Sequence, residues 1–221
     1  MKAEQAEPSR IVVLISGSGS NMQAIAQSCA QGDMHANVVA VISNRPGVMG
    51  LEKAAELEIP TETVDHTEYS SREEFDANLI RAIDEHSPDL VVLAGFMRIL
   101  TPDFVRRYRG RLLNIHPSLL PKYKGLHTHK RALEAGDKEH GVTVHFVTED
   151  LDGGPNAIQA IIPVLDDDSE SSLKQRVQIQ EHVIYPIAVK WFIEGRLSIQ
   201  KGDVYLDDHL LPESGVQLTQ S

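Results

Sequence analysis

The chain has 221 residues, 41% of them hydrophobic, with one cysteine and a formal net charge of -11. That length fits one α/β core plus a modest C-terminal extension, and the apolar fraction is enough for a buried interior, which excludes a wholly disordered chain. The acidic balance opposes binding to nucleic acid or an anionic membrane, a single cysteine allows no internal disulfide, and no run reaches the roughly 18 apolar residues that span a bilayer.

The opening MKAEQAEPSR is polar and has no apolar signal segment, so residues 1–9 are expected to be flexible and the protein cytoplasmic. IVVLIS at 11–16 reads as a strand, followed by the loop Ser16-Gly17-Ser18-Gly19-Ser20-Asn21 and a helix over 21–30, where Cys29 is a small packing residue. NVVAVIS at 37–43 and DLVVLAGF at 89–96 are further strands. Like the first, they are continuous and β-branched without polar alternation, the pattern of strands covered on both faces. Helical stretches at 48–58 and 71–86 lie between them, and in the second Phe75, Leu79, Ile83 and His86 recur on one face. RLLNIH at 111–116, GVTVHFVT at 141–148 and NAIQAIIPV at 156–164 continue the strands. A long helix over 169–195 is expected to be capped by Ser169 or Ser171 and kinked by Pro186. A hairpin turning at Lys201-Gly202-Asp203 precedes a frayed tail, residues 213–221. Alternating strands and helices predict a single α/β domain over 10–212, built on a doubly wound, mostly parallel sheet.

Two places carry chemistry. The loop at 16–21 opens a helix, whose exposed N–H groups and dipole favour an anion. The dinucleotide fingerprint would want glycine where Met22 stands, so one small phosphate suits the loop better than a pyrophosphate. Any strand-to-helix turn can also be rich in Gly and Ser. The second place is Asn114 and His116, which at i and i+2 project from one strand face and bring an amide and an imidazole to one point. Asp152, in DGGP, is a carboxylate able to charge that imidazole. Such a set suits acyl or formyl transfer: Asn114 and protonated His116 donate to an oxyanion, and no covalent serine is needed, although Ser118 is near in sequence. A structural role for His116 is the ordinary alternative in a chain with ten histidines. A zinc triad of His116, His127 and His129 lacks a nearby cysteine or an HExxH pattern. His145 reads as a hydrogen-bonded wall residue.

Through ISGSGSN, LAGFMRIL, LLNIHPSLLPKYKGLHTH, HFVTEDLDGGP and VQIQEHVIYP, the chain resembles the folate-dependent formyltransferases over nearly all of 10–212. Among them it is most similar to the glycinamide ribonucleotide formyltransferases of purine synthesis. The resemblance implies a Rossmann-like formyltransferase fold and transfer of the formyl group of 10-formyltetrahydrofolate to the amine of 5-phosphoribosylglycinamide. The partners it implies are small molecules only, with no metal. It assigns Asn114, His116 and Asp152 to catalysis. It assigns Gly19, Ser20, Asn21, Gln178 and Glu181 to the ribonucleotide. To the folate it assigns Arg72, Met97, Arg98, Ile99, Leu100, Asn114, Thr148, Glu149, Asp150, Leu151 and Asp152. Taken singly, Arg72, the stretch from Met97 to Leu100, and Glu181 also read as surface charge or core. The chain departs from the family pattern at Asn156-Ala157 and at Lys124, which is expected to alter loop stiffness on the folate side. The added domains of methionyl-tRNA formyltransferase and of the deformylases are not expected here. Hydrolysis of the formyl folate, and a binding module without turnover, are the competing functions.

Overall fold

The computed structural model describes residues 7–219, so most of the N-terminal stretch expected to be flexible, and the last residues of the tail, lie outside the described residues. In chain order the elements are β1 (Ser9–Ile15), α1 (Ser20–Ala30), β2 (Ala36–Ser43), α2 (Met49–Glu56), β3 (Thr61–Thr63), α3 (Arg72–Glu85), β4 (Leu90–Leu93), α4 (Pro102–Arg107) and β5 (Leu112–His116). They continue as α5 (Thr128–Ala135), β6 (Glu139–Phe146), β7 (Asn156–Pro163), α6 (Glu170–Ile193), β8 (Leu197–Gln200), β9 (Asp203–Leu206), β10 (His209–Leu210) and β11 (Val216–Thr219). An 8-stranded sheet runs β11-β7-β6-β5-β4-β1-β2-β3, and a small sheet of β8, β9 and β10 stands apart. β3, β2, β1, β4 and β5 are mutually parallel, while β6 is antiparallel to both β5 and β7. The doubly wound, mostly parallel sheet is therefore present, with β6 as its reversed member. The chain steps outward from β1 to β3 and then crosses back to β4, so the strand order reverses between β1 and β4, the place where such sheets form a crevice at their carboxyl ends.

Residues Ile11 to Ile15 are all 0% exposed, as their unbroken apolar run requires. Alternation then divides them between two cores. Ile11, Val13 and Ile15 pack with Met22 and Ile25 of α1 and with Val177, Ile184 and Tyr185 of α6. Val12 and Leu14 pack with Phe75, Leu79 and Ile83 of α3 and with Phe104 and Tyr108. Each such buried side chain contributes about 2 kcal/mol of transfer free energy. Cys29 rests half-buried against the first core, and burial pushes its thiol up to about 11. α6 is capped by Ser169, whose hydroxyl accepts from Ser172 N while Ser169 N donates to the Ser172 hydroxyl. The helix continues through Pro186, which removes the N–H that the His182 carbonyl would otherwise accept.

One expectation is corrected. The tail is not frayed throughout: Val216 to Thr219 form β11, parallel to β7. Asn156, buried at the start of β7, donates to the Glu213 carbonyl at 2.9 Å, and Gln217 donates to the Gln159 amide oxygen at 3.1 Å. Asn156 therefore anchors the C-terminal segment. Among the described residues no helix is long and apolar enough to cross a membrane.

α6 is tied to the sheet beneath the crevice by the Tyr185 hydroxyl, which is fully buried and lies 2.9 Å from the Leu93 carbonyl and 3.1 Å from the Leu113 carbonyl. Tyr185→Phe removes this donor while keeping the ring. A loss of about 1 kcal/mol in urea unfolding is expected, with an unchanged denaturant slope.

Candidate active site

β5 and β6 build the centre of the site. Their antiparallel register sets Asn114 directly opposite His145 and His116 directly opposite Thr143. Leu113 and Ile115 point into the core beneath α6, so Asn114 and His116 share the opposite face, as their spacing implied. Each partner on β6 supports its neighbour. The Thr143 hydroxyl donates to the Ser118 carbonyl and accepts from Leu120 N, fixing the turn just beyond His116. The Asn114 amide nitrogen lies 3.2 Å from His145 Nε2. Against β7 the register shifts between Val144 and His145, where β7 carries the extra residue Ala157.

His116 is 7% exposed and both its ring nitrogens face oxygen. Nε2 lies 2.9 Å from the Tyr123 carbonyl and Nδ1 lies 3.4 Å from Asp152 Oδ2. Each ring nitrogen thus has an acceptor within reach, and the one at Nδ1 is the Asp152 carboxylate. The Asp152 side chain is 8% exposed and also accepts from Gly125 N at 2.9 Å. Its backbone lies at φ 47, a left-handed conformation that Asp tolerates and that the DGGP turn imposes. The sequence reading of Asn114, His116 and Asp152 as one constellation thus holds as geometry. Ser118 is fully buried and its hydroxyl donates to the Lys122 carbonyl, so it braces the turn and presents no nucleophile.

A cavity of about 140 Å³ opens on Asn114 and Asp152 of this constellation, though not on His116; it is lined besides by His145, Leu93, Phe96 and Val105, by Arg98 to Leu100, and by Val147 to Leu151. Of the residues expected to border a folate, Arg98, Ile99, Leu100, Thr148, Glu149, Asp150 and Leu151 are here. Met97 and Arg72 are exposed and do not line the cavity. Met97 contributes through its backbone, donating its N–H to the Ser16 hydroxyl at 2.7 Å and so joining the loops after β4 and β1. Phe96, Val105 and Val147 were not singled out in the sequence, where they read as ordinary apolar core.

The loop after β1 ends in Gly19 at φ 67, and α1 begins without any side-chain cap or acidic residue in its first turn. Its first N–H groups are therefore available to an anion. Ser20 and Asn21 do not cap the helix; they reach α6. Asn21 Nδ2 donates to Glu181 Oε2 at 2.7 Å, and Gln178 donates to the Ser20 hydroxyl at 3.0 Å. Gly19, Ser20, Asn21, Gln178 and Glu181 are thus brought together as expected. Burial holds the Glu181 carboxyl above its ordinary range, more than the Asn21 bond lowers it. Gly50, absent from the sequence reading, completes the loop: a Cβ there would come within 2.8 Å of the Gly17 carbonyl, and one on Gly19 within 2.6 Å of Gly50 Cα. The signal was a glycine in the first turn of a helix, where nothing local requires one.

His127 and His129 do not join His116. His127 precedes α5 at φ 59, and buried His129 pairs with buried His140, Nδ1 to Nε2, at 3.1 Å. Among the described residues no group of three or more His, Cys, Asp or Glu could hold a metal ion. Burial lowers the pKa of both histidines of the pair, that of His140 to about 4.

A family profile described as formyl transferase matches residues 9–189. The phosphoribosylglycinamide formyltransferase of Escherichia coli (strain K12) is 55% identical over 205 residues, spanning 93% of this chain and 97% of that protein. The trifunctional purine biosynthetic protein adenosine-3 of Drosophila melanogaster is 53% identical over 189 residues, 84% of this chain and 14% of that protein. Among solved structures, the phosphoribosylglycinamide formyltransferase of Coxiella burnetii matches with a TM-score of 0.91 at 50% identity, covering 96% of this chain and 99% of that one.

Because the folded pKa of His140 lies below its unfolded value of 6.5, the unfolded chain binds more protons between that value and about 4, and stability falls as pH drops through that window. Urea midpoints measured across it are expected to decline on acidification. His140→Gln should flatten the slope by at most one proton, about 1.4 kcal/mol per pH unit. An unchanged slope would mean that His140 titrates normally.

Proposed function

The chain belongs to the formyl transferase family, and from that premise we propose that it transfers the formyl group of 10-formyltetrahydrofolate to the amine of 5-phosphoribosylglycinamide, a step of purine biosynthesis, in the cytoplasm. One observation carries the residue-level reading. Asp152, paired with His116, and an Asn114 amide that keeps one N–H without a partner among the described residues face a single cavity at the carboxyl end of the sheet. The uncapped start of α1, across β4 at the same sheet edge, suits the phosphate of the acceptor. Gln178 and Glu181 fit contacts to its ribose and amine.

The cavity suits the donor's bicyclic head, with the polar edges of Arg98 to Leu100 on one side and the loop from Thr148 to Asp152 on the other. At about 140 Å³ it is small beside the 300–1,000 Å³ typical of drug-sized ligands, so the rest of the folate lies along the surface. Arg72, exposed at the start of α3, is assigned to the anionic tail outside the cavity, and Met97 to the rim through its backbone.

The amine nitrogen attacks the formyl carbon and the carbonyl electron pair moves onto oxygen. Asn114 and His116 donate to that oxygen where charge develops. Collapse restores the carbonyl and breaks the bond to N10 of the folate. The amine gives up a proton towards Asp152 and N10 receives one from His116, so proton number is conserved across the pair. In the free protein His116 Nε2 is held by the Tyr123 carbonyl, so delivery requires that nitrogen to exchange this partner for substrate. Asp152 stays opposite Nδ1 during the exchange.

His116→Ala and Asp152→Asn are each expected to lower turnover by about 10²- to 10⁴-fold with the fold intact. Ser118→Ala should act only through its turn. The assay follows tetrahydrofolate release with both substrates. Near-normal turnover in purified Asp152→Asn would remove the proposed mechanism, and release without the ribonucleotide would make the protein a hydrolase.

A further inference from the structure

His145 has no part in the chemistry just described, yet it is 2% exposed at the wall of the same cavity and paired across the strands with Asn114. Its two nitrogens have different neighbours. Nδ1 lies 3.0 Å from the Phe146 carbonyl, which only accepts, so Nδ1 carries a proton. Nε2 lies 3.2 Å from the Asn114 amide nitrogen and 3.9 Å from Asp152 Oδ1. The second distance is too long for a hydrogen bond, so Asn114 is the partner. Burial keeps the ring neutral, and this outweighs the carboxylate's opposite pull. A neutral ring protonated at Nδ1 presents a lone pair at Nε2, which must accept from Asn114.

A primary amide has two N–H bonds and can flip end for end. An unanchored Asn114 would offer the reacting carbonyl its own oxygen as readily as a donor. We infer that His145 is a positioning residue for the transfer, its Nε2 lone pair holding one amide hydrogen of Asn114 so that the other is the one presented to the cavity. The register of β5 against β6 seats the ring opposite Asn114, and the Phe146 carbonyl selects its tautomer. This inference rests on the oxyanion role given to Asn114 above.

The effect belongs in kcat, because an interaction made with the developing oxyanion is absent from the ground state. His145→Leu is expected to lower kcat about 10- to 100-fold, the scale of a misplaced catalytic group, while the KM values of both substrates hardly change. His145→Gln, which returns an acceptor near the Nε2 position, should recover most of the loss. In an Asn114→Ala background, His145→Leu should cost nothing further. An equal loss in that background, or a folded His145→Gln no better than His145→Leu, would overturn the inference. Full activity in Asn114→Ala removes the underlying reading and this inference with it, whereas a crippled Asn114→Ala beside a normal His145→Leu removes this inference alone. If His145→Leu does not fold, nitrogen-15 histidine spectra of the unaltered protein decide: a bare Nε2 and a protonated Nδ1 at neutral pH are required, and a proton on His145 Nε2 overturns the proposal.

Discussion

The antiparallel register of β5 against β6 is the constraint on which the rest depends. It sets His145 against Asn114 and Thr143 against His116. A slip of one residue would turn all the partners on β6 to the other face of the sheet, because side chains alternate with a period of two. The slip is opposed from the other face, where Val142, Val144 and Phe146 are buried in the core that α6 covers. Apolar packing on one face thus holds polar geometry on the other to within hydrogen-bonding distance. The same logic runs through β7, where Gln159 donates to Thr143 Oγ1 and to the Leu120 carbonyl, extending support from the sheet into the turn after His116.

A nearly dry polar pair is costly unless every polar atom finds a partner. Here the partners come from loops rather than from neighbouring side chains. Tyr123 offers a carbonyl to one nitrogen of His116, and Gly125 offers an N–H to Asp152, which in turn faces the other nitrogen. The segment between Pro117 and His127 is held down in its turn by Ser118 donating to Lys122 and by Arg131, which donates to the Lys124 carbonyl and lies over the Tyr123 ring. Rigid strands fix where Asn114 and His116 sit, and backbone groups of the loop meet the remaining polar atoms of His116 and Asp152. At the other end of the crevice the exchange is similar: α1 is left without a cap of its own, and its first side chains are used to reach Gln178 and Glu181 of α6.

Much of this was legible in the chain. The unbroken runs around Ile11, Val38 and Leu90 announce buried parallel strands, and the pairing of Asn114 with His116 is a local property of one strand, visible from spacing alone. The anion loop follows from a strand, two glycines and a helix start. What escaped involves residues whose roles arise from a distant neighbour. Gly50 matters because Gly17 and Gly19 lie against it. His145 reads as a wall residue until Asn114 is seen across from it. Asn156, read only as a change in loop stiffness, holds down the C-terminal strand through the Glu213 carbonyl. Arg72 and Met97 carried a resemblance-based assignment to the folate side, yet their side chains stand outside the enclosed cavity.

The sequence by itself determined the α/β alternation, the strand-borne amide and imidazole, and the glycine-rich turn into α1, because each depends on a pattern within a few residues. The tertiary structure alone decided that β6 runs backwards, that Asp152 meets His116 rather than solvent, and that His145 and the Tyr123 carbonyl take up the remaining hydrogen bonds. These are contacts between segments far apart in the chain. They are set by which apolar faces can be buried together, and that is a property of the folded whole rather than of any local pattern.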